Sequence, residues 1–153
     1  MKFLKNHKLL SILVLLIVIS CIMIFSLSRT KWDSTVVLSG KSIHVEVADT
    51  GYLQEKGLSG HAPLTSSEGM LFIFEKPDTY GFWMKDMLFP IDIVWLDSSG
   101  RVVTIEKAVS PGTYPKVFYP SGPSLYVLEI FSGESDTLNL KIGDLVRFGK
   151  KWL

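Results

Sequence analysis

With 153 residues, one cysteine and 16 bases against 15 acids, the chain is sized for a single domain. It has no disulfide framework, and it lacks the basic excess that a nucleic-acid surface requires. All the acids but only 13 of the bases follow residue 28, so that part of the chain carries about −2, without any basic stripe.

The N-terminus stands apart. Lys2, Lys5 and Lys8, with His7 among them, precede an uncharged apolar run from Leu9 to Leu27. As a helix that run would be about 28 Å long, close to the hydrocarbon thickness of a bilayer. The lysines place the N-terminus in the cytoplasm, so the sequence predicts a single-pass cell-membrane protein with its C-terminal domain extracytoplasmic. Three fates fit the segment. It is retained as a signal anchor, or cleaved after Ser26-Leu27-Ser28, or processed at the lipobox-like Val18-Ile19-Ser20-Cys21 with Cys21 lipidated. Cys21 is equally well read as a small apolar side chain in a membrane helix. The predicted organisation is therefore a cytoplasmic tail and anchor over 1–28, a tether over 29–35 and a folded domain over 36–153.

In that domain Val36–Leu38 and Ser42–Ala48 read as a hairpin. Ile43, Val45 and Val47 lie on one face, and His44 and Glu46 on the other. Asp49-Thr50 can cap a short helix that Gly57 closes. Met70–Phe74 is five apolar residues in a row, as in a strand buried on both faces. Phe82–Met84 reads as a short strand and Lys85–Phe89 as a turn, with Pro90 at the start of the next strand. There Ile91, Ile93 and Trp95 alternate with Asp92, Val94 and Leu96. Asp97–Gly100 is a hairpin turn leading to a partner strand over 101–106. Residues 108–123, punctuated by four prolines, form a loop long enough to be functional or to cover the core. Leu125–Phe131 is a strand, Leu138, Leu140 and Ile142 alternate, and Leu145–Phe148 closes the sheet. The sum is an all-β sandwich or partly closed barrel of seven or eight short strands, with one short helix, preceded by the N-terminal transmembrane helix.

The motifs Gly57-Leu58, Glu68–Phe74, Phe82-Trp83-Met84-Lys85, Pro90–Ile93 and Gly143-Asp144 give the stretch 43–148 a resemblance to the bacterial and archaeal domain of unknown function 192 family. The resemblance implies an all-β, sandwich-like fold, often exported or membrane-tethered, and no particular reaction. This chain departs from the pattern at three places. Ser59 stands where Met is usual, His61 where Arg is common, and Asp86-Met87 where the pattern has Asn-Thr, which would alter any polar site those residues build in relatives.

The residues offer little for metal or nucleophilic chemistry. Past Cys21 there are no thiols and only His44 and His61 as imidazoles, no calcium-loop spacing joins Glu68, Asp86 and Asp92, and no nucleophile elbow occurs. No cofactor is implied and no catalytic residue is assigned. Glu68, Asp86 and Asp92 are the best carboxylates for an alternative, glycosidase-like hydrolase. Asp92 and Glu129 each interrupt an apolar strand, which fits either a catalytic or a structural, hydrogen-bonded carboxylate. The leading expectation is a non-enzymatic module that binds a small molecule, a glycan or an envelope protein. Its ligand-binding residues would be Trp83, Lys85, Asp86, Asp92, Glu68, Tyr80, Tyr114 and Tyr119, with Phe82 and Phe118 beside them. The third reading is a purely structural envelope protein.

Overall fold

A computed structural model describes residues 34–149 and, before them, Ser11, Leu13–Ile17 and Ser20. The chain divides into two units, Met1–Lys31 and Trp32–Leu153. The described residues of the first are helical and exposed. Most of the span expected over Leu9–Leu27, Cys21 included, lies outside the described residues, among which no helix is long and apolar enough to cross a membrane.

The second unit is built on a sheet of β1 (Ser34–Leu38), β2 (Lys41–Ala48), β3 (Glu68–Asp78), β5 (Ile91–Leu96), β6 (Val102–Val109), β8 (Ser124–Phe131) and β9 (Arg147–Phe148), in the order β6-β5-β8-β3-β2-β1-β9. A two-stranded sheet pairs β4 (Phe82–Trp83) with β7 (Val117–Phe118). All pairings are antiparallel except β2 with β3. A parallel pair cannot be joined by a tight turn, so residues 49–67 cross over one face of the sheet and carry α1 (Gly51–Lys56). The Thr50 hydroxyl accepts from Leu53 N at 3.4 Å, and Gly57, in the left-handed region at φ +48°, ends the helix by donating to Leu53 O. The Gln54 side chain then ties the helix down by donating to Ile73 O at 2.8 Å.

The sheet has a core on each face. On one, Ile91, Ile93 and Trp95 join Met70, Phe72 and Val127 beneath Leu58, Phe82, Met84 and Met87. On the other, Val94 and Leu96 join Val36, Leu38, Ile43, Val45, Leu71 and Ile130. All six residues of β5 are buried for this reason. The second core lies inside the curl of the sheet, whose ends meet in a seam. Arg101 bridges Leu145, Val102 N donates to Asp144 O, Gly143 N donates to Val102 O, and Val146 N donates to Gly100 O. The architecture is an all-β, partly closed barrel with a second layer over one outer face.

Two local readings need correction. Leu138, Leu140 and Ile142 do not form a strand. The chain makes α2 (Glu134–Thr137) and then turns, burying Leu140 and leaving Ile142 exposed. The described residues of the second unit therefore contain two short α-helices, and a 3₁₀ turn at Pro111–Thr113, where a single helix was expected. The segment 108–123 is also not loop throughout: β6 runs on to Val109 and β7 sets Phe118 opposite Phe82, so that it covers the outer core.

Candidate functional site

Asp92 is fully buried on the inward face of β5. Its Oδ1 accepts from Ala108 N at 2.8 Å and Gly133 N at 3.1 Å, and its Oδ2 accepts from Ser135 N at 2.9 Å. The carboxylate thus pins the irregular stretch of β6, where Ala108 has φ +48°, and the entry to α2. It takes no partner from Lys85. Placed among the ligand-binding residues by the sequence, Asp92 instead faces the core opposite to Trp83, because side chains alternate across the strand. Glu68 is also apart: its Oε2 accepts from Thr65 N at 2.8 Å and closes the turn before β3. The carboxylates of the hydrolase alternative therefore do not converge.

The other expected residues do gather, on the outer face. A cavity of about 130 Å³ opens between α1 with its following turn and the strand β4. Gln54 to Ser59 form one wall, Tyr80 to Trp83 with Met87 the other, and Phe72, Phe74 and Glu129 complete the lining. Tyr80 stacks on Phe74 at 3.5 Å between ring centroids, while its hydroxyl donates to Lys76 O and its carbonyl accepts from Trp95 Nε1. The phenol is held above its ordinary pKa, first by desolvation and then by the Asp78 and Glu75 carboxylates. Trp83, 49% exposed, meets Tyr114 edge-on at 6.4 Å. Tyr119 lies against Gly81, where a Cβ would come within 2.6 Å of its ring, so only glycine lets this ring close over the strand end.

Lys85 and Asp86 line a shallower neighbouring hollow that shares Glu55, Lys56 and Ser59 with the cavity. Ser59 Oγ donates to Lys85 O at 2.8 Å and Gly60 N donates to Asp86 O at 3.0 Å, so the crossover is buttoned to the turn. Asp86 sits in the left-handed region at φ +56°. Asp and Asn tolerate that conformation alike, so the departure from the usual Asn keeps the turn. His61, where Arg is common, brings Nδ1 to 3.8 Å from Glu46 Oε1.

Glu129 is the residue that sequence reasoning weighed but did not select. It is 4% exposed, sits in register between Met70 of β3 and Ile93 of β5, and faces the outer core. Its Oε2 is buried with no hydrogen-bond partner among the described residues. Desolvation pushes its carboxyl up to about 8, so at neutral pH the group is mostly a neutral acid. The only signal in the sequence is a glutamate inside Leu-Tyr-Val-Leu-Glu-Ile-Phe. Among the described residues no three His, Cys, Asp or Glu side chains cluster as metal ligands.

Compared with known proteins, the chain matches the family model DUF192, "Uncharacterized ACR", over residues 34–148. Two curated relatives, both described as UPF0127 proteins, are 34% identical: one from Thermococcus sibiricus over 105 residues, one from Thermococcus gammatolerans over 107. These alignments take in 65% and 67% of this chain but only 62% and 65% of the relatives' own length. A crystal structure of a protein of unknown function from Novosphingobium aromaticivorans is 34% identical with a TM-score of 0.68, covering 74% of this chain and 81% of that one. Another, from Sinorhizobium meliloti, whose description proposes a transcription regulator, is 25% identical with a TM-score of 0.70, covering 78% and 97%.

Proposed function

The chain belongs to the DUF192 family, and we propose that it is a membrane-tethered, non-enzymatic β-domain that binds a small ligand in the cavity beneath Trp83. The observation that carries this reading is the cavity itself: about 130 Å³, lined by the rings of Phe72, Phe74, Tyr80, Phe82 and Trp83 on one side and by Gln54 to Ser59 on the other, with a buried carboxyl group at Glu129 and an exposed one at Glu55. Aromatic surface set against a small number of polar groups is a usual make-up of a small-molecule site. The volume suits a compact molecule, or the end of a longer one, better than a polymer.

The tether is supported by the apolar run Leu9–Leu27 behind three lysines, which puts the domain on the extracytoplasmic side. The expected result is that the full chain fractionates with membranes and resists alkaline extraction. Recovery of a soluble form beginning near Arg29 would overturn it. A nucleic-acid role, which the description of the Sinorhizobium meliloti structure would bring with it, has no support in a domain of about −2 without a basic stripe.

The binding reading is tested by thermal shift on the full chain in detergent against a panel of small metabolites, since a ligand that binds only the folded state raises Tm. At least one compound should shift Tm by several degrees, and Trp83→Ala should abolish that shift. With half its surface already in solvent, Trp83 can be removed at small cost to the fold, about 1 kcal/mol. A panel with no hit, or a shift that Trp83→Ala leaves intact, would move the site elsewhere.

A further inference from the structure

We infer that the cavity is a receptor for a primary ammonium group, with the Glu129 carboxylate as its counter-ion and the aromatic rings as its walls. The inference rests on the reading that this cavity binds a small ligand, and it names the chemical class.

Three observations converge on it. The first is a deficit: Oε2 of Glu129 is buried and lacks a donor among the described residues, whereas buried carboxyl oxygens are ordinarily hydrogen-bonded. A ligand that brings an N–H supplies what is missing. The second is the surroundings: Phe72, Phe74, Tyr80, Phe82 and Trp83 line the same space. Aromatic faces attract cations, most strongly where water is excluded, and their apolar bodies accept an alkyl chain. The third is charge. An anionic ligand would be repelled once Glu129 ionises, and a neutral one would supply no charge to offset its burial. An ammonium group supplies charge and donor together.

The ionisable groups around Glu129 leave this role open. Strands β3 and β5 present Met70, Phe72 and Ile93 to it, none of them ionisable. From α1 come Glu55 and Lys56, both exposed, and from the segment before β4 comes the Tyr80 phenol. Lys85 and Asp86 line the adjacent hollow, and Glu46 of β2 lies one strand beyond Met70, against His61. Burial is accordingly the cause that dominates the raised pKa of Glu129. In the empty site the acid carries its proton. When an ammonium ion enters, that proton leaves to solvent and an ion pair forms, one cation replacing another.

Proton exchange gives the test its distinctive readout. Titrate the full chain in detergent with n-butylammonium chloride and, in parallel, with n-butanol, at pH 6, 7, 8 and 9. Affinity for n-butylammonium should climb by about tenfold per pH unit from 6 towards 8 and level off above. Affinity for n-butanol should not follow that curve. Glu129→Gln should flatten the pH dependence and weaken n-butylammonium by more than about tenfold, while n-butanol binding reports that the variant is folded. Binding of n-butanol alone overturns the ammonium assignment and leaves the ligand-binding cavity standing. Binding of n-butylammonium without pH dependence, or equally well to the Gln variant, removes Glu129 as the counter-ion. Binding of neither probe overturns the inference, and the metabolite panel decides the cavity separately.

Discussion

Replacing Glu129 with Gln should stabilise the folded protein, by on the order of 3 kcal/mol at pH 7 and about 5 kcal/mol above pH 8, with almost no change at pH 4. Burial pushes the carboxyl from an ordinary 4.5 to about 8 in the folded chain. A group whose pKa is raised on folding favours the folded state fully below its unfolded value. That contribution is lost as pH rises from the unfolded value through the folded one, because the unfolded chain ionises freely there while the folded one must keep its proton or hold a desolvated charge. Gln keeps the shape and has no charge to bury. Urea unfolding of both proteins at pH 4, 7 and 9 checks this, and a difference that does not grow with pH would show that Glu129 is not buried as described. That a residue lining the cavity should weaken the fold is what a retained functional group predicts, since stability and binding chemistry often compete.

Asp92→Ala should do the opposite, costing about 4 kcal/mol or more at neutral pH. Three backbone N–H groups, of Ala108, Gly133 and Ser135, lose their acceptor in one step. Buried donors left unsatisfied cost roughly 1–3 kcal/mol each. Asp92→Asn is expected to be intermediate, because its amide nitrogen must point at one of the donors it replaces an acceptor for. Hydrogen exchange on the 133–137 segment should rise in both variants before the rest of the sheet is affected. Ordinary protection there would mean that α2 stands without Asp92.

Strand β5 shows how far the sequence could be read. Its alternation separated Ile91, Ile93 and Trp95 from Val94 and Leu96, and the two sets enter different cores. The period of two is a local property, so local residues reveal it. The stretch after β8 shows the opposite. Leu138, Leu140 and Ile142 alternate as a strand would, yet the chain turns into α2 because Asp92, more than 40 residues away, holds the N–H groups of Gly133 and Ser135. No local pattern encodes that. The pairing of β4 with β7 was hidden for a similar reason, since two-residue strands are too short to show periodicity and the partners lie 34 and 36 residues apart. At the site, the sequence brought Trp83, Tyr80, Lys85 and Asp86 together but could not rank Glu129 above Asp92. Both are carboxylates in apolar strands, and what separates them is the number of N–H groups each one meets.

The seam between Arg101 and Leu145 bears on how partners can approach. β6 is an outermost strand of the sheet order, and an unguarded outermost strand is a template for another chain to extend the sheet. Here Val102 gives both its N–H and its carbonyl to the 143–144 stretch, and the carbonyl of Val103 accepts from the Ser121 hydroxyl. Thr104 is covered by the same loop, its Oγ1 accepting from Ser121 N. The first half of β6 therefore has little main-chain valence left for strand addition. At high local concentration this resists edge-to-edge aggregation, and a protein that docks along this side must recognise side chains.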